Sequence, residues 1–226
     1  MKNNITELVF ILDRSGSMSG LEKDTTGGFN SLIEKQKKIK GKCYVTTVLF
    51  NTAISCIHDR VDLSAVRPMR DWDFIPGGCT ALLDAMGDTI HHIAQIHKYA
   101  RPEDVPEHTT FVIMTDGLEN ASSKYSSDEV KRLVEQEKEK HGWEFLFLAA
   151  NIDAVETAGR IGIQRDRAAD YTADSMGTKL AFHTLADVVC KQRKGSPIDA
   201  DWSRRIQKDH TKRFEPVRDT GKQFDE

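Results

Sequence analysis

Short, continuous runs of apolar residues constrain the fold of this chain more than any other feature of its sequence. The main runs span residues 8–12, 44–50, 109–114 and 145–150, and a weaker one spans 168–173. Strands that are apolar throughout are covered on both faces, as in a parallel sheet between two layers of helices. Amphipathic stretches separate the runs, so we expect a doubly wound α/β domain with helices on both faces of its sheet.

One further strand is expected to run against the others. Residues 53–61 follow the strand 44–50 after only Asn51 and Thr52, and this short gap is typical of a hairpin. The sequence therefore predicts a mainly parallel central sheet with one antiparallel edge strand. Apolar residues at intervals of three and four predict the helices 21–40, 81–99, 127–140, 154–161 and 178–192.

The composition excludes several classes of protein. The longest apolar runs fall far short of the roughly 20 residues of a transmembrane helix, and the N-terminus has no secretion signal. The four cysteines are scattered without metal-binding spacing, which is typical of free thiols in the cytoplasm. The net charge of −3 lacks the basic excess of a nucleic-acid binder. We therefore expect a cytoplasmic protein that binds neither nucleic acid nor membranes.

The chain changes character near Gly195. From residue 191 onward it carries ten basic and seven acidic side chains, whereas the preceding part is acidic, and the apolar periodicity is lost. We therefore predict a domain over 1–195 and a polar, basic extension over 196–226. The extension is either a disordered or loosely docked tail, or a short helix that docks on the acidic body of its own or another chain. Its large apolar residues are Trp202, Ile206, Phe214 and Phe224.

Three segments place oxygen-bearing side chains at the ends of predicted strands and at the start of a predicted helix. They contain Asp13, Ser15, Ser17, Thr80 and Asp116. Ligands of doubly wound sheets bind at the carboxyl ends of the strands where the strand order reverses, so we expect the three segments to meet there. Gly16 is expected to permit a tight turn, and Gly117 a conformation after Asp116 that other residues disfavour. Gly77 and Gly78 are expected to allow a close approach of the loop that carries Thr80.

These residue types match the chemistry of a magnesium site. Mg²⁺ prefers an octahedron of hard oxygen ligands, and Mn²⁺ or Ca²⁺ could take its place. The absence of nearby Cys or His argues against zinc and copper. Two carboxylates roughly cancel one dication, and the hydroxyls are neutral. An ion held in this way stays electrophilic, so a Glu or Asp of a partner protein could complete its coordination.

The same segments resemble a known family. Asp13-x-Ser15-x-Ser17 after the strand VFILD, Thr80 within GGCTALLDA, and Asp116 within VIMTDG look like the metal-ion-dependent adhesion site of von Willebrand factor type A domains. The resemblance covers roughly residues 5–190. It implies cation-dependent binding of a partner protein without catalysis. It also implies that Ser15 and Ser17 bind the ion directly, while Thr80 and Asp116 alternate between direct and water-mediated contact. Asp13 acts through water or by hydrogen bonds to the serines. The form without flanking modules is similar to stand-alone bacterial members, including those of tellurite-resistance clusters.

The residues leave two other functions open. A metal-dependent hydrolase acting on phosphoesters is one, because a bound Mg²⁺ polarises phosphoryl oxygens, although no general base is evident in the three segments. A structural module whose metal only braces the loops is the other.

Several neighbouring residues also have two interpretations. Thr80 is placed to cap the helix that follows it. Asp84 and Asp88 are expected to be solvated or structural rather than ligands. Arg14 could recognise an acidic partner or pair with a local carboxylate. Glu119 and Asn120 could influence partner choice or lie in an exposed loop. The histidines His91, His92 and His97 are expected at the surface or half-buried, since no two of them have the spacing of a helical zinc site.

Overall fold

The computed structural model of the chain describes residues 4–214, whose strands form one six-stranded sheet. The strands are β1 (Ile5–Asp13), β2 (Lys42–Phe50), β3 (Ile54–Asp62), β4 (His108–Thr115), β5 (Glu144–Ala149) and β6 (Ala168–Asp170). Their order is β3-β2-β1-β4-β5-β6, and β3 alone runs antiparallel to its neighbour. The predicted sheet, with its antiparallel edge strand, is confirmed.

Helices cover both faces of the sheet. They are α1 (Glu22–Lys37), α2 (Leu82–Tyr99), α3 (Ser127–His141), α4 (Ala154–Arg160), α5 (Ser175–Gln192) and α6 (Arg204–Phe214). The core on one face is shared with α1, α5 and α6, and the core on the other face is shared with α2, α3 and α4. The five predicted helices are thus confirmed. None of the helices in residues 4–214 is long and apolar enough to cross a membrane.

The central strand β1 shows why its sequence is apolar throughout. Every residue of β1 is buried, and successive side chains enter opposite cores because a strand alternates its faces. Phe10 belongs to the core under α1 and α5, and Ile11 belongs to the core under α2. The Phe10 ring meets Phe29 of α1 edge to face, with 5.3 Å between ring centroids.

Part of the predicted extension packs on its own chain. Trp202 and Ile206 are buried in the core under α5, and the Trp202 Nε1–H donates to the Asp166 carbonyl at 2.9 Å. Farther along, Arg213 forms an ion pair with Asp174 at the start of α5. The division of the chain at Gly195 stays a prediction. Residues 215–226, including Phe224, and the Phe214 side chain lie outside what the structure describes.

The strand order also determines where a ligand could bind. From β1 the chain continues through β2 to one edge of the sheet, whereas β4, β5 and β6 extend to the other edge. The order therefore reverses between β1 and β4, and the crevice at their carboxyl ends is the usual binding position of such sheets. Asp13 is the last residue of β1, and Asp116 directly follows β4.

Candidate metal site

The Asp13 carboxylate is held by the loop that follows it and by the neighbouring strand. Its Oδ1 accepts the backbone N–H of Ser15 at 2.7 Å, which closes a tight turn over the end of β1. Its Oδ2 accepts the Thr115 hydroxyl at 2.7 Å. Thr115 is the last residue of β4 and was not singled out from the sequence. Only its position one residue before Asp116 could have indicated this role.

The two serines connect Asp13's loop to Asp116. The Ser15 and Ser17 hydroxyl oxygens lie 3.1 Å apart, and the Ser17 hydroxyl donates to the Asp116 Oδ1 at 2.6 Å. Ser17 belongs to a single 3-10 turn, Gly16–Met18, which carries its side chain back over the strand ends. Side chains 99 positions apart in the sequence are thereby in direct contact.

Thr80 completes the group from a third segment. A methyl carbon placed on Gly117 would lie 3.6 Å from the Thr80 Oγ1 and 3.7 Å from the Ser17 Oγ, so both hydroxyls adjoin the residue after Asp116. The structure therefore brings all five predicted side chains together. Thr80 does not cap the following helix, because α2 begins at Leu82 and its N-cap position is Ala81.

Backbone hydrogen bonds join the Thr80 segment to the other two. The Gly16 N–H donates to the Gly78 carbonyl at 3.1 Å, and the Gly77 N–H donates to the Arg14 carbonyl at 3.0 Å. Asn120 pairs with Thr80 on both sides: its Oδ1 accepts the Thr80 N–H at 2.9 Å, and its own N–H donates to the Thr80 carbonyl at 3.0 Å. Asn120 is exposed, as one of its two interpretations expects, and it also holds Thr80 in position.

Of the glycines expected to shape the site, Gly78 is the one that the structure requires. Gly78 has a φ of +75°, and a Cβ there would lie 2.7 Å from the Thr52 Oγ1, so only glycine fits. Gly16 and Gly117 have ordinary φ angles and room for a Cβ. The chain does turn tightly at Gly16, but in a 3-10 turn that any residue can adopt. The unusual conformation expected at Gly117 was wrong, because its φ is not positive.

The site concentrates negative charge in a buried position. Asp13 is 1% exposed and Asp116 is 2% exposed, and neither is paired with a Lys, Arg or His side chain of residues 4–214. Burial raises the pKa of Asp116, the neighbouring Asp13 carboxylate raises it further, and the hydrogen bond from Ser17 lowers it. Buried carboxylates are normally paired or bound to a metal.

A buried tyrosine lies close to both carboxylates. Burial raises the pKa of Tyr171, and the charges of Asp116 and Asp13 raise it further. Its hydroxyl has no hydrogen-bond partner among the described residues. Within residues 4–214, no three His, Cys, Asp or Glu side chains gather as metal ligands. Two carboxylates and three hydroxyls nevertheless make a hard-oxygen donor set, which fits Mg²⁺ better than zinc.

Glu119 has a role that the sequence did not indicate. Its Oε1 accepts the N–H groups of Ala121 and Ser122 at 2.9 and 2.7 Å, and its Oε2 accepts the Leu83 N–H at 2.9 Å and the Ser122 hydroxyl at 2.8 Å. One carboxylate thus closes the loop after Asp116 and fastens it to the first turn of α2. The sequence Asp-Gly-Leu-Glu gives no signal that would predict this arrangement.

The remaining candidates are structural. The Asp84 carboxylate accepts three backbone N–H groups of residues 123–125, so its expected structural role is confirmed. Arg14 donates to the Ser55 hydroxyl and to the Asp73 carbonyl, and neither is a carboxylate. The histidines are exposed or half-buried as predicted, and His97 pairs with the buried Glu7 at 2.7 Å.

Comparisons with solved structures identify the architecture. The von Willebrand factor type A protein from Catenulispora acidiphila superposes with a TM-score of 0.53 at 14% identity, over 82% of this chain and 42% of that chain. The vWF domain of the type V pili tip protein Mfa5 from Porphyromonas gingivalis gives a TM-score of 0.58 at 10% identity, over 81% and 94%. Proximal thread matrix protein 1 from the mussel byssus gives 0.55 at 13% identity, over 82% and 46%.

These matches agree with the sheet order and the helix layers described above. The molecule is a doubly wound α/β domain, and more specifically it has the von Willebrand factor type A fold. The chain spans less than half the length of the mussel and Catenulispora proteins. The mussel protein has also been solved with its adhesion-site motif occupied by zinc. No family model and no curated protein matches this sequence.

Proposed function

We propose that this chain is a metal-dependent protein-interaction module. Asp13, Ser15, Ser17, Thr80 and Asp116 hold one Mg²⁺, for which Mn²⁺ or Ca²⁺ can substitute. A Glu or Asp of a partner protein completes the coordination of the ion. One observation carries the proposal: two buried carboxylates converge with three hydroxyls, and no basic side chain of residues 4–214 pairs with them.

The arrangement of the charges supports this function. A dication would offset the repulsion between Asp13 and Asp116 and would accept oxygen from the three hydroxyls. The two carboxylates together only neutralise the ion, so the metal site would carry no excess negative charge. An additional carboxylate from outside is therefore an attractive ligand, which makes binding of the partner depend on the metal.

Isothermal titration calorimetry with MgCl₂ tests the metal site. We expect one ion to bind the wild type and none to bind Asp13→Asn at the same concentrations. Asp128→Asn, which changes an exposed carboxylate at the start of α3, is the control and should bind as the wild type does. Absence of heat with a folded wild-type protein would refute the proposal. Circular dichroism of each variant verifies folding.

The same variants separate the proposal from its two alternatives. A hydrolase would turn over a generic phosphoester with Mg²⁺ and would lose this activity in Asp116→Asn. A purely structural ion would raise the melting temperature when bound but would leave every interaction unchanged in EDTA. An interaction module loses its partner in EDTA.

We also propose that the protein works in the cytoplasm. The four cysteines, all within the described residues, form no disulfide, which supports a reducing compartment. Cell fractionation with an antibody against the chain tests the location.

A further inference from the structure

Most of the exposed large apolar side chains lie along the edge of the sheet where the parallel strands end. Six large apolar residues among residues 4–214 are exposed, and five of them lie at the edge where the parallel strands end. We call these five the apolar rim: Ile54, Trp72, Ile75, Leu118 and Met176. The sixth, Tyr99, is the last residue of α2, which starts beside the candidate metal site and is about 27 Å long. Tyr99 therefore lies at the opposite end.

Three members of the apolar rim belong to the segments that build the metal site. Leu118, 64% exposed, is two residues after Asp116. Ile75, 63% exposed, precedes the glycines that are hydrogen-bonded to the Asp13 loop. Trp72, 65% exposed, lies next to Asp73, whose carbonyl accepts from Arg14. Single exposed apolar residues need no explanation, but large ones concentrated around a candidate site mark an interaction surface.

A groove beside the rim provides space for a side chain of the partner. Its volume is about 560 Å³, and it lies between the segment after Ser17 and residues 71–76. The buried Phe74 ring and the exposed Ile75 contribute its apolar wall. Three carboxylates and one lysine also line it, Glu22, Asp24, Asp71 and Lys23, and Asp24 forms an ion pair with Lys179 at 3.1 Å. The groove therefore keeps a small negative charge. This charge disfavours a second acidic side chain here, so the partner's single acid is directed to the metal.

We propose that the apolar rim selects partner segments in which one acidic residue is flanked by large apolar residues. The inference rests on the proposed function, because the acidic residue is the one that completes the metal coordination. The ion fixes the position of this residue, and contact of the flanking residues with Ile75 and Leu118 provides specificity. A protein segment suits this surface better than a lipid headgroup, since the groove keeps a net negative charge from Glu22 and Asp71 against Lys23, with Asp24 paired to Lys179.

A peptide display library with a fixed central Asp and random flanking positions tests the proposal. Selection on the wild type in MgCl₂ should enrich Leu, Ile, Phe or Trp beside the Asp. A selected peptide, measured by fluorescence anisotropy, should bind Leu118→Ser and Ile75→Ser at least about tenfold more weakly. Tyr99→Ser is the matched control and should bind as the wild type does. Mg²⁺ affinity by calorimetry should be the same in all three variants.

The outcomes distinguish this inference from the function on which it rests. Peptides that require Mg²⁺ but show no apolar enrichment, or that bind Leu118→Ser normally, overturn the apolar rim alone. A library that yields no binder also overturns it. Apolar peptides that bind equally in EDTA and to Asp13→Asn overturn the metal-dependent function instead. Sedimentation of the wild type, but not of Leu118→Ser, with phosphatidylserine vesicles would reassign the surface to membranes.

Discussion

Replacing Glu119 by Gln should weaken both the fold and the metal site. The substitution keeps the size of the side chain and preserves one oxygen for the N–H groups of Ala121 and Ser122. It places an amide NH₂ where Oε2 accepts the Leu83 N–H at 2.9 Å. Two donors then face each other at the first turn of α2, and the negative charge at this helix N-terminus is lost.

The magnitude follows from these contacts. A hydrogen bond to a charged group contributes about 1.5–3 kcal/mol to stability, and this loop is only half-buried, so the lower end of the range applies. We expect the free energy of unfolding to fall by about 2 kcal/mol. The loop after Asp116 also loses its bond to the first turn of α2, although Asn120 still pairs with Thr80. Loss of such a supporting contact typically weakens metal binding at least tenfold.

Urea denaturation and magnesium calorimetry measure the two effects. Glu129→Gln is the control, because Glu129 caps α3 in an exposed capping box with Ser126, away from the site. It should cost at most about 1 kcal/mol and leave Mg²⁺ affinity unchanged. If Glu119→Gln unfolds at the wild-type urea concentration and binds Mg²⁺ as tightly as the wild type, the reasoning is wrong.

Three further predictions concern the rest of the fold. Burial lowers the pKa of His58 from 6.5, so the unfolded chain binds more protons below about this pH and stability falls as the pH decreases. In His58→Phe, urea denaturation across this range should show a weaker loss at acidic pH. Gly28→Ala places a Cβ 2.4 Å from the Phe182 ring and should lower the free energy of unfolding by about 1–3 kcal/mol. Gly27→Ala has open space around it and should raise the free energy of unfolding by roughly 0.5–1 kcal/mol. The urea midpoints of the two variants should therefore shift in opposite directions. Trp202→Ala should cost about 3 kcal/mol in thermal or urea unfolding, since its buried ring and indole hydrogen bond are lost; an unchanged midpoint would mean that the segment before α6 does not stabilise the domain.

The accuracy of the predicted elements has a local cause. A strand such as β4 is recognised because apolar residues follow one another without interruption, and a helix such as α2 is recognised by its periodicity. Both signals extend over fewer than 20 residues. The polar residues at the ends of these elements were recognised for the same reason, since strand ends are where ligands of such sheets bind.

The supporting contacts could not be recognised in this way. Thr115 looks like an ordinary strand residue until β1 and β4 are placed side by side, when its hydroxyl reaches Asp13. Glu119 looks like a surface residue until the loop folds back onto α2. The unusual conformation expected at Gly117 was wrong because a glycine in a sequence does not reveal its φ angle. At Gly78 a positive φ and the proximity of Thr52, both tertiary features, exclude a side chain.

The amino-acid sequence alone determined which segments become strands and helices, and it placed five oxygen-bearing side chains at their ends. Hydrophobic periodicity and turn-forming residues depend on near neighbours in the chain, so secondary structure can be predicted from them without a structure. Only the tertiary structure decided that Ser17 meets Asp116 across 99 positions and that one carboxylate, Glu119, joins the loop to the helix. These contacts depend on the order and register of strands, which arise from packing two cores at once and are encoded in no single segment.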